Sequence, residues 1–594
     1  MRLGSRAAKV PEEPALELLP AADRPAGSPG GGAHRALLGE LLVQRAALTP
    51  AQLAEALLLK SGSDRRLGDL LLELGVVNER QLTEALAVQL DLPLADLRQH
   101  APEPAVAALL SDSVARGLKA IPLRIATGDV VEVAVAELTD RTVAELERAI
   151  GRPVTLLLAA PSDIHRAIDN TYRALAGVEQ QIAAFTAGHG ERRPAPPSAT
   201  AAAVGGAEAP VVQIVNMLIT QALRDRASDV HIEPQDDQVR VRFRIDGALH
   251  EVVRLPGPMA NVIASRIKIM GNMNIVERRR PQDGQIGMTI DGRAIDIRVA
   301  TTGTIWGEKV VLRLLDKSRP LYRLRDLGMP AETHDTYSGL IRSPYGMVIC
   351  AGPTGSGKTT TLYASMSEIN NAERNITTIE DPVEYVFPSI NQIQINESAG
   401  ITFAVGLRSI LRQDPDVILV GEIRDTETAR IAVQSALTGH FVLSSLHATD
   451  TVSALYRFLD MGIEAFLVAS SVLAVVGQRL VRRTCGDCKV PYALSAEEMA
   501  FFEQAGGGHK TQFWVGEGCN FCSQTGYSDR VGVYELLTIT EEMRELIVAP
   551  HPSHDDMHRL AVKQGMHSLR AEAVRLISED VTTVAEVVRT IYNL

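Results

Sequence analysis

The stretch "AGPTGSGKTT", residues 351 to 360, constrains the fold more than any other part of the chain. It fits G-x-x-x-x-G-K-[ST], in which glycines let backbone N–H groups converge on phosphates while a lysine and a hydroxyl reach the β/γ-phosphates and Mg²⁺. The apolar run "YGMVIC" precedes it and the helical pattern "TTTLYASMSEI" follows, so the loop should open a helix whose N-terminus favours anions. The residues expected to bind the nucleotide are Gly352, Pro353, Thr354, Gly355, Ser356, Gly357, Lys358, Thr359 and Thr360.

Three blocks after the loop combine an apolar strand with ionisable side chains. "ITTIEDPVEY" carries Glu380 and Glu384, "RQDPDVILVGEIRD" ends a strand at Glu422, and "LTGHFVLSSLHATD" flanks a strand with His440 and His447. Strand ends in a nucleotide-binding sheet converge on the phosphate loop, where a carboxylate can hold Mg²⁺ through water or polarise the attacking water. A histidine there can sense the γ-phosphate. Each residue alone has a plainer interpretation, a solvated strand end or an ordinary core or surface histidine.

Length and charge limit the remaining possibilities. With 594 residues the chain is too long for one core, so we expect several domains. The net charge of −12 disfavours a protein whose main surface grips nucleic acid. The N-terminus lacks the apolar core of a signal peptide, and the best apolar run, "AFLVASSVLAVVG", is too short to span a membrane and is predicted to be a buried helix. We therefore expect a cytoplasmic protein.

Composition and periodicity divide the chain into segments, which together predict a multidomain α/β fold. A repeat with an offset of 29 residues begins at Leu37 and again at Arg66, and each copy predicts two short amphipathic helices, the second capped by Thr49 or Asn78. The predicted segments are 1–34, disordered; 35–175, the helical repeat (37–89) plus an α/β part; 176–209, a flexible linker; 210–318, a second α/β domain; and 319–594, the nucleotide-binding domain with a metal module at about 484–535.

The four blocks resemble the Walker A, Asp box, Walker B and His box of the secretion ATPases, the hexameric motors of type II secretion and type IV pilus assembly. "ASDVHIEP", "VRFRIDG", "PQDGQI" and "GEKVVLRLLD" resemble that family's second N-terminal domain, and the resemblance covers roughly residues 35 to 594. It implies a RecA-like core that hydrolyses ATP with Mg²⁺. The second acidic block has Gly421–Glu422 where generic nucleotidases have Asp–Glu, and this departure fits the family.

The resemblance also implies roles for individual residues. Lys358 and Thr359 would serve the phosphates and Mg²⁺, and Glu422 would act on Mg²⁺ and water, with Glu380 and Glu384 sharing that work. His440 and His447 would couple the nucleotide state to the domain interface. Arginines on strands of the preceding domain would reach the phosphates, although plain surface charge is the alternative for each; the candidates are Arg242, Arg244, Arg298 and Arg313.

Four of the five cysteines are spaced as metal ligands. Two C-x₂-C pairs, Cys485 with Cys488 and Cys519 with Cys522, can complete a tetrahedron of thiolates, which predicts a closed, structural Zn²⁺ site. The alternative is reduced thiols in loops. The second pair resembles half of the zinc module of assembly-type motors, which retraction motors generally lack. Cys350 is expected to be a core residue.

The N-terminal repeat resembles a cyclic di-GMP-binding module with two copies of an R-L-G…L…Q pattern. The second copy fits the pattern. In the first copy Leu37 stands in place of the arginine and Lys60 in place of the glutamine, and Arg35 or Lys60 is the alternative source of the missing contacts with the ligand. Leucine cannot stack on guanine or fork onto phosphate, so half of the polar contacts are missing. The alternative is docking to a membrane partner. The matching residues are Arg66, Leu67, Gly68 and Gln89.

The sequence thus predicts a homohexameric motor that acts through an inner-membrane platform protein and assembles pilin-like subunits into a filament. A type II secretion motor that builds a pseudopilus shares every one of these features. A nucleic-acid translocase with a similar core is a rival from a different class, which the acidic balance disfavours. A nucleotide sensor with little turnover is a third class, which the complete set of acidic and histidine boxes disfavours.

Overall fold

The computed structural model describes residues 37–61, 65–98, 100–138, 141–189, 209–316, 322–550 and 553–592. The segment predicted to be disordered, 1–34, lies outside those residues. The chain divides into two compact units, one ending at Leu94 and the other beginning at Ala95. Among the described residues, no helix is long and apolar enough to cross a membrane.

In the first unit the repeat folds as two helix pairs, as predicted. Thr49 and Asn78 each accept a hydrogen bond from the backbone N–H three residues on, at 3.3 and 2.9 Å. Leu42 and Leu71 hold equivalent positions in the two copies and are both fully buried. The helices are α1 (Leu38–Gln44), α2 (Pro50–Lys60), α3 (Leu67–Glu73) and α4 (Glu79–Leu90).

The second unit begins with a small α/β domain. Its three-stranded sheet has β1 antiparallel to β2 and β2 parallel to β3. Its elements are α5 (Pro104–Ala107), α6 (Asp112–Leu118), β1 (Ala120–Ala126), β2 (Val130–Val135), α7 (Thr142–Ile150), β3 (Val154–Leu158) and α8 (Pro161–Thr171).

The segment predicted as a flexible linker is partly a helix, α9 (Val178–His189). Val178 and Phe185, seven positions apart, fall on one helical face and bury themselves in the core of the domain that follows. Ile182 packs partly buried against the same core, so the three residues follow the i, i+4, i+7 spacing of an amphipathic helix, which the linker prediction overlooked. Residues 190–208 lie outside the described part of the chain.

The arginine-bearing domain, as we call residues 210–316, is a six-stranded antiparallel sheet in the order β6-β5-β4-β9-β8-β7. Alternating residues of its strands bury one face against two helices. Its elements are α10 (Pro210–Arg224), β4 (Asp229–Pro234), β5 (Gln238–Ile245), β6 (Ala248–Pro256), α11 (Ala260–Met270), β7 (Gln282–Ile290), β8 (Arg293–Thr304) and β9 (Gly307–Asp316).

The core domain follows as a seven-stranded sheet in the order β12-β11-β13-β14-β10-β15-β18, parallel except for the β15–β18 pair. Its central strands are buried along their whole length, as expected for a parallel sheet covered on both faces. Its strands and the intervening helices are α12 (Ala331–Leu340), β10 (Gly346–Ala351), α13 (Lys358–Ile369), β11 (Ile376–Glu380), β12 (Asn391–Gln394), α14 (Phe403–Ile410), β13 (Val417–Val420), α15 (Thr426–Leu437), β14 (Phe441–Leu446), α16 (Thr451–Asp460), α17 (Ala465–Ser471), β15 (Val472–Thr484) and β18 (Tyr527–Thr538).

The prediction of a single buried helix over "AFLVASSVLAVVG" was wrong, because the chain changes from α17 to β15 at Val472. The β-branched run that follows pairs with β10, with Val348 opposite Ala474.

Between β15 and β18 lies an inserted module, and helices follow β18. These elements are β16 (Lys489–Tyr492), α18 (Ala496–Gln504), β17 (Phe513–Gly516), α19 (Glu541–Val548), α20 (His554–Lys563), α21 (Leu569–Ser578) and α22 (Val584–Val587).

Candidate active site

The phosphate loop connects β10 to α13, as the pattern predicts. Gly355 and Gly357 have φ of +80° and +91°, a region that L side chains rarely adopt, and Gly357 directly precedes the first residue of α13. A Cβ on Gly352 would lie 2.4 Å from Ser356 Oγ and 2.7 Å from a backbone oxygen of β15. The loop is therefore shaped for glycine, and its N–H groups gather at a helix N-terminus that attracts anions.

Lys358 stands at the centre of this loop and is largely buried. Its ammonium donates to the carbonyl oxygens of Gly352 at 2.8 Å and Pro353 at 3.1 Å. Burial lowers the pKa of Lys358, while nearby Cys350 and Glu422 act in the opposite direction. An ammonium has three protons, so one remains to meet a phosphate oxygen while the other two brace the loop.

A cleft of about 360 Å³ lies over the loop. Its walls come from the loop, from the carboxyl ends of β11 and β13, and from two strands of the arginine-bearing domain. The structure thus brings together most of the residues predicted for the site. Those lining the cleft are Thr354, Gly355, Ser356, Gly357, Lys358, Thr359, Glu380, Glu384, Glu422, His447, Arg298 and Arg313.

Glu422 follows β13 and faces the loop. One carboxylate oxygen pairs with the guanidinium of Arg424, and the other lies 3.4 Å from His447 Nε2. A Cβ on Gly421 would lie 3.3 Å from the carbonyl oxygen of Ile379, so the glycine before Glu422 lets the ends of β13 and β11 approach closely. Glu422 is therefore a carboxylate held by two side chains at the mouth of the loop.

Glu380, at the end of β11, is buried and its two oxygens are occupied. It accepts hydrogen bonds from the Tyr363 hydroxyl, from Thr378 Oγ1 at 2.6 Å and from Gln392 Nε2 at 3.2 Å. Burial, together with the charge of Glu380, raises the pKa of Tyr363 well above its usual range, so the phenol stays protonated and donates. Glu380 has less freedom than Glu422 to take a proton from water.

Glu384 forms a bidentate ion pair with Arg298 of β8, with both N–O distances at 3.2 Å. The pair connects the arginine-bearing domain to the core at the edge of the cleft. Arg313 of β9, half-exposed, also lines the cleft and donates to Asp229 at 3.0 Å. Two guanidinium groups of the arginine-bearing domain thus line the cleft over the phosphate loop.

Six predicted residues do not line the cleft. Gly352, Pro353 and Thr360 belong to the loop itself or to the first turn of α13, whereas the other three lie outside it. Arg242 and Arg244 lie on β5, separated from β8 by two strands, and are occupied by Glu233 at 2.9 Å and by Asp229 at 3.6 Å. His440 immediately precedes β14, where its carbonyl accepts from the N–H of Gly346 at the start of β10. Because β10 and β14 run parallel, His440 lies at the edge of the sheet opposite the phosphate loop.

Sequence reasoning missed Tyr363 and Arg424, which hold the acidic residues of the site. Tyr363 lies on α13, donates to Glu380 and accepts from the backbone N–H of Glu384 at 3.1 Å. Arg424 could have been found, because it follows Glu422 by two residues on the same segment. Tyr363 had no signal, since aromatic residues on a buried helix are common.

The four cysteines of the inserted module come together, with ligand atoms all within 4.8 Å of one another. Three S–S distances are 3.8, 3.9 and 3.9 Å, close to the ~3.8 Å edge of a tetrahedron with Zn–S bonds of about 2.3 Å. Backbone N–H groups of Gly518 and Gly526 point at the sulfurs of Cys488 and Cys522, each at 3.3 Å, as suits thiolates. The donor set fits Zn²⁺.

Cys350, the fifth cysteine, lies in β10 and not in the module. It is fully buried, and burial raises the pKa of its thiol to about 12.

The residues predicted for cyclic di-GMP lie in the first unit. Arg66 is exposed at the N-cap of α3, and Gln89 is partly exposed in the last turn of α4. Leu37 and Lys60, their counterparts in the first copy, are exposed as well. Arg35 lies outside the described residues.

Two family models match the chain: "Type II/IV secretion system protein" over residues 206–589, and "MshEN domain" over residues 90–178. The chain is 39% identical to the type IV pilus assembly ATPase PilB of Myxococcus xanthus over 93% of this chain and 98% of that protein. It is 49% identical to the type II secretion system protein HxcR of Pseudomonas aeruginosa over 64% of this chain and 77% of that protein. It is 44% identical to the type II secretion system ATPase E of Vibrio cholerae over 64% of this chain and 75% of that protein.

Proposed function

The chain belongs to the family of type II/IV secretion system proteins, and from that premise we propose that it is a ring-forming motor that couples ATP hydrolysis to the assembly of type IV pilus filaments. The observation that carries the proposal is the extent of the pilus ATPase match, which runs through nearly the whole of both chains. The type II secretion relatives are more similar in sequence but match only about two thirds of this chain.

In this function the enzyme is an ATP hydrolase with a RecA-like core. Lys358 and the loop N–H groups would bind the phosphates, and the Thr359 hydroxyl with Glu422 would hold Mg²⁺, directly or through water. Mg²⁺ would neutralise charge that develops on the phosphates. The two side chains that hold Glu422 support a role in orienting the attacking water and accepting its proton, because a fixed carboxylate costs little reorganisation.

Arg298 and Arg313 would stabilise charge on the transferred phosphoryl group. Arg298 is bound to Glu384, so a γ-phosphate competes with that carboxylate for the same guanidinium. Exchange of partners would release β8 from this contact with the core, and in this way the nucleotide state would be coupled to rotation of the arginine-bearing domain. His447, beside Glu422, would sense the same change.

We propose a homohexamer that lies in the cytoplasm and acts at the inner membrane through a platform protein and the pilin-assembly machinery. Zn²⁺ bound by the four cysteines would be structural, because all four ligands are protein sulfur and none is left for substrate. Nucleic acid is not expected as a partner, and a nucleic-acid translocase would reveal itself by DNA-stimulated ATP hydrolysis.

Cyclic di-GMP is proposed as a ligand of the second repeat, through Arg66, Leu67, Gly68 and Gln89. The MshEN match supports the assignment of this region, although it begins at residue 90, after the repeat. Calorimetric titration should show weak binding that Arg66→Ala abolishes and Leu37→Arg with Lys60→Gln strengthens. If cyclic di-GMP gives no heat of binding with the native chain or with either variant, the repeat does not bind this ligand. Docking to a membrane partner would then be the remaining proposal for its surface.

The deciding experiment replaces Lys358 with Ala on the chromosome, with Lys563→Ala, an exposed lysine at the end of α20, as the control. Sheared surface filaments and secreted proteins are then compared in the same cultures. Loss of filaments with normal secretion is the expected result. Loss of secreted proteins with intact filaments would make the chain a type II secretion motor instead.

A further inference from the structure

The inserted cysteine module touches the small α/β domain at the N-terminal end of the second unit. Asp487, between Cys485 and Cys488, has a side chain only 9% exposed. Its carboxylate lies 2.8 Å from Arg98 Nη1 and 3.8 Å from Arg166 Nη1, both of the α/β domain. A nearly buried carboxylate thus meets two guanidinium groups across a domain boundary.

The second cysteine pair contributes to the same contact. Phe521, between Cys519 and Cys522, is buried beneath Arg166, whose guanidinium carbon lies 5.3 Å from the ring centroid. Arg98 is held in place by Asp163 of α8 at 3.1 and 3.2 Å. We call the set of Arg98, Arg166, Asp487 and Phe521 the knuckle contact.

The shape of the knuckle contact depends on the cysteines. Asp487 and Phe521 each sit inside one C-x₂-C loop, and an oxygen of Asp487 lies 4.0 Å from Cys485 Sγ. Such loops take their conformation from convergence of the thiolates on one metal ion, and metal binding and local folding are coupled. Loss of the ion would release both loops and, with them, the two residues that face the α/β domain.

The α/β domain is held on its other side by the arginine-bearing domain. Arg224, whose side chain is 7% exposed, donates to Asp112 at 2.9 Å, to Asp291 at 3.0 Å and to the carbonyl of Tyr172 at 2.7 Å. Arg98 and Arg166 are about one third exposed, and water screens their pairs more strongly. When the domains separate, the knuckle contact should therefore open before the Arg224 network does.

We propose that the knuckle contact is a zinc-dependent latch, in which the metal-bound cysteine module holds the α/β domain against the core. The arginine-bearing domain also meets the core directly, through Arg226 with Asp529 and Arg298 with Glu384, each at 3.2 Å, so opening the latch removes one restraint on its movement and leaves those pairs in place. The movement itself rests on the proposed motor function, whereas the metal-dependent docking does not. The partner of the module surface formed by Asp487 and Phe521 is therefore the α/β domain of the same chain.

Hydrogen exchange of the full-length, nucleotide-free protein tests the docking. In Asp487→Asn, and in the native chain after zinc chelation, amides of α8 should exchange about tenfold faster, while those of buried β2 stay unchanged. Glu503→Gln, an exposed change on α18 of the same module, is the control and should behave as the native chain. Metal analysis must show native zinc content in Asp487→Asn, so that unfolding of the module is not the cause. Unchanged α8 exchange in that variant would overturn the proposal.

The latch adds a prediction about turnover. With the contact opened, the basal ATPase rate of Asp487→Asn should rise about threefold, because a conformational restraint has been removed. Faster α8 exchange with an unchanged rate would reduce the contact to passive docking and overturn the latch. Failure of the Lys358→Ala filament experiment would remove the motor function but leave the exchange result standing.

Discussion

Arg298 and Glu384 face each other across the boundary between the arginine-bearing domain and the core, with two N–O distances of 3.2 Å. The pair is only partly buried, so its net contribution to stability is small. It lies at the edge of the cleft, where Arg298 is also within the proposed phosphate site. One guanidinium can serve either the carboxylate or a phosphate, so under the proposed motor function we expect the pair to switch between two arrangements of the domains.

Removing this arginine should slow hydrolysis. We expect Arg298→Ala to lower kcat by about 10²-fold, because a fixed cation that stabilises transition-state charge is lost. Steady-state phosphate release measures it. Arg293→Ala, at the first residue of the same strand, is the matched control and should stay close to native. Native kcat in Arg298→Ala would show that the arginine serves only the ion pair.

Substitutions of the two carboxylates at the cleft, Glu422 and Glu380, should have different effects on turnover and on stability. Glu422→Gln should lower kcat by at least about 10²-fold while nucleotide binding persists, because the proton acceptor is lost. Glu380→Gln should mainly destabilise, by about 1–3 kcal/mol, because its hydrogen-bond donors lose their acceptor. Nucleotide titration, kcat and thermal unfolding of both variants distinguish them. The opposite pattern would make Glu380 the base.

Zinc should be bound at one ion per chain and should order the inserted module. In a Trp306→Phe background, Trp514 of β17 reports on that module, and Cys519→Ser or chelation should shift its emission to the red as the module loosens. Cys350→Ala, in the strand before the phosphate loop, should keep the full zinc content. A metal-free native chain with unchanged Trp514 emission would contradict the site.

The free energy of unfolding should depend on pH through the ionisation of Glu233. Burial acts to raise the pKa of Glu233, but hydrogen bonds from Arg242 and Lys309 prevail and lower it to about 2, from an ordinary value of 4.5. A depressed folded-state pKa means that the stabilisation is complete well above pH 4.5 and is lost as the pH falls towards 2. About a quarter of it should be gone at pH 4.

The measurement compares thermal unfolding of the native chain with that of Glu233→Gln at pH 7, 5 and 4. The difference between their midpoints should be largest at pH 7 and should narrow at pH 4. Glu251→Gln, which removes an exposed pair with Arg254, should change little at any pH. A Glu233→Gln difference that grows as the pH falls would refute the assignment.

Much of the site followed from local patterns. The segment from Gly352 to Gly357 joins β10 to α13 as predicted, and the four cysteines meet as their spacing implied. The exclusion of His440 could also have been predicted, because it precedes its strand whereas the phosphate loop follows a parallel one. The helix over 178–189 could have been predicted as well, because Val178, Ile182 and Phe185 follow the i, i+4, i+7 spacing of an amphipathic helix.

The sequence by itself predicted a phosphate-binding loop at residues 352–360, because contiguous residues build that loop. It also determined which cysteines meet, through their spacing. The tertiary structure alone decided that Arg298 and Arg313, rather than Arg242 and Arg244, line the cleft, and that the Tyr363 hydroxyl binds the carboxylate of Glu380. Alternation along a strand sets which face a side chain takes, but the order of strands in the sheet sets which strand lies beside the core. That order depends on pairings between residues far apart in the chain, which no local pattern records.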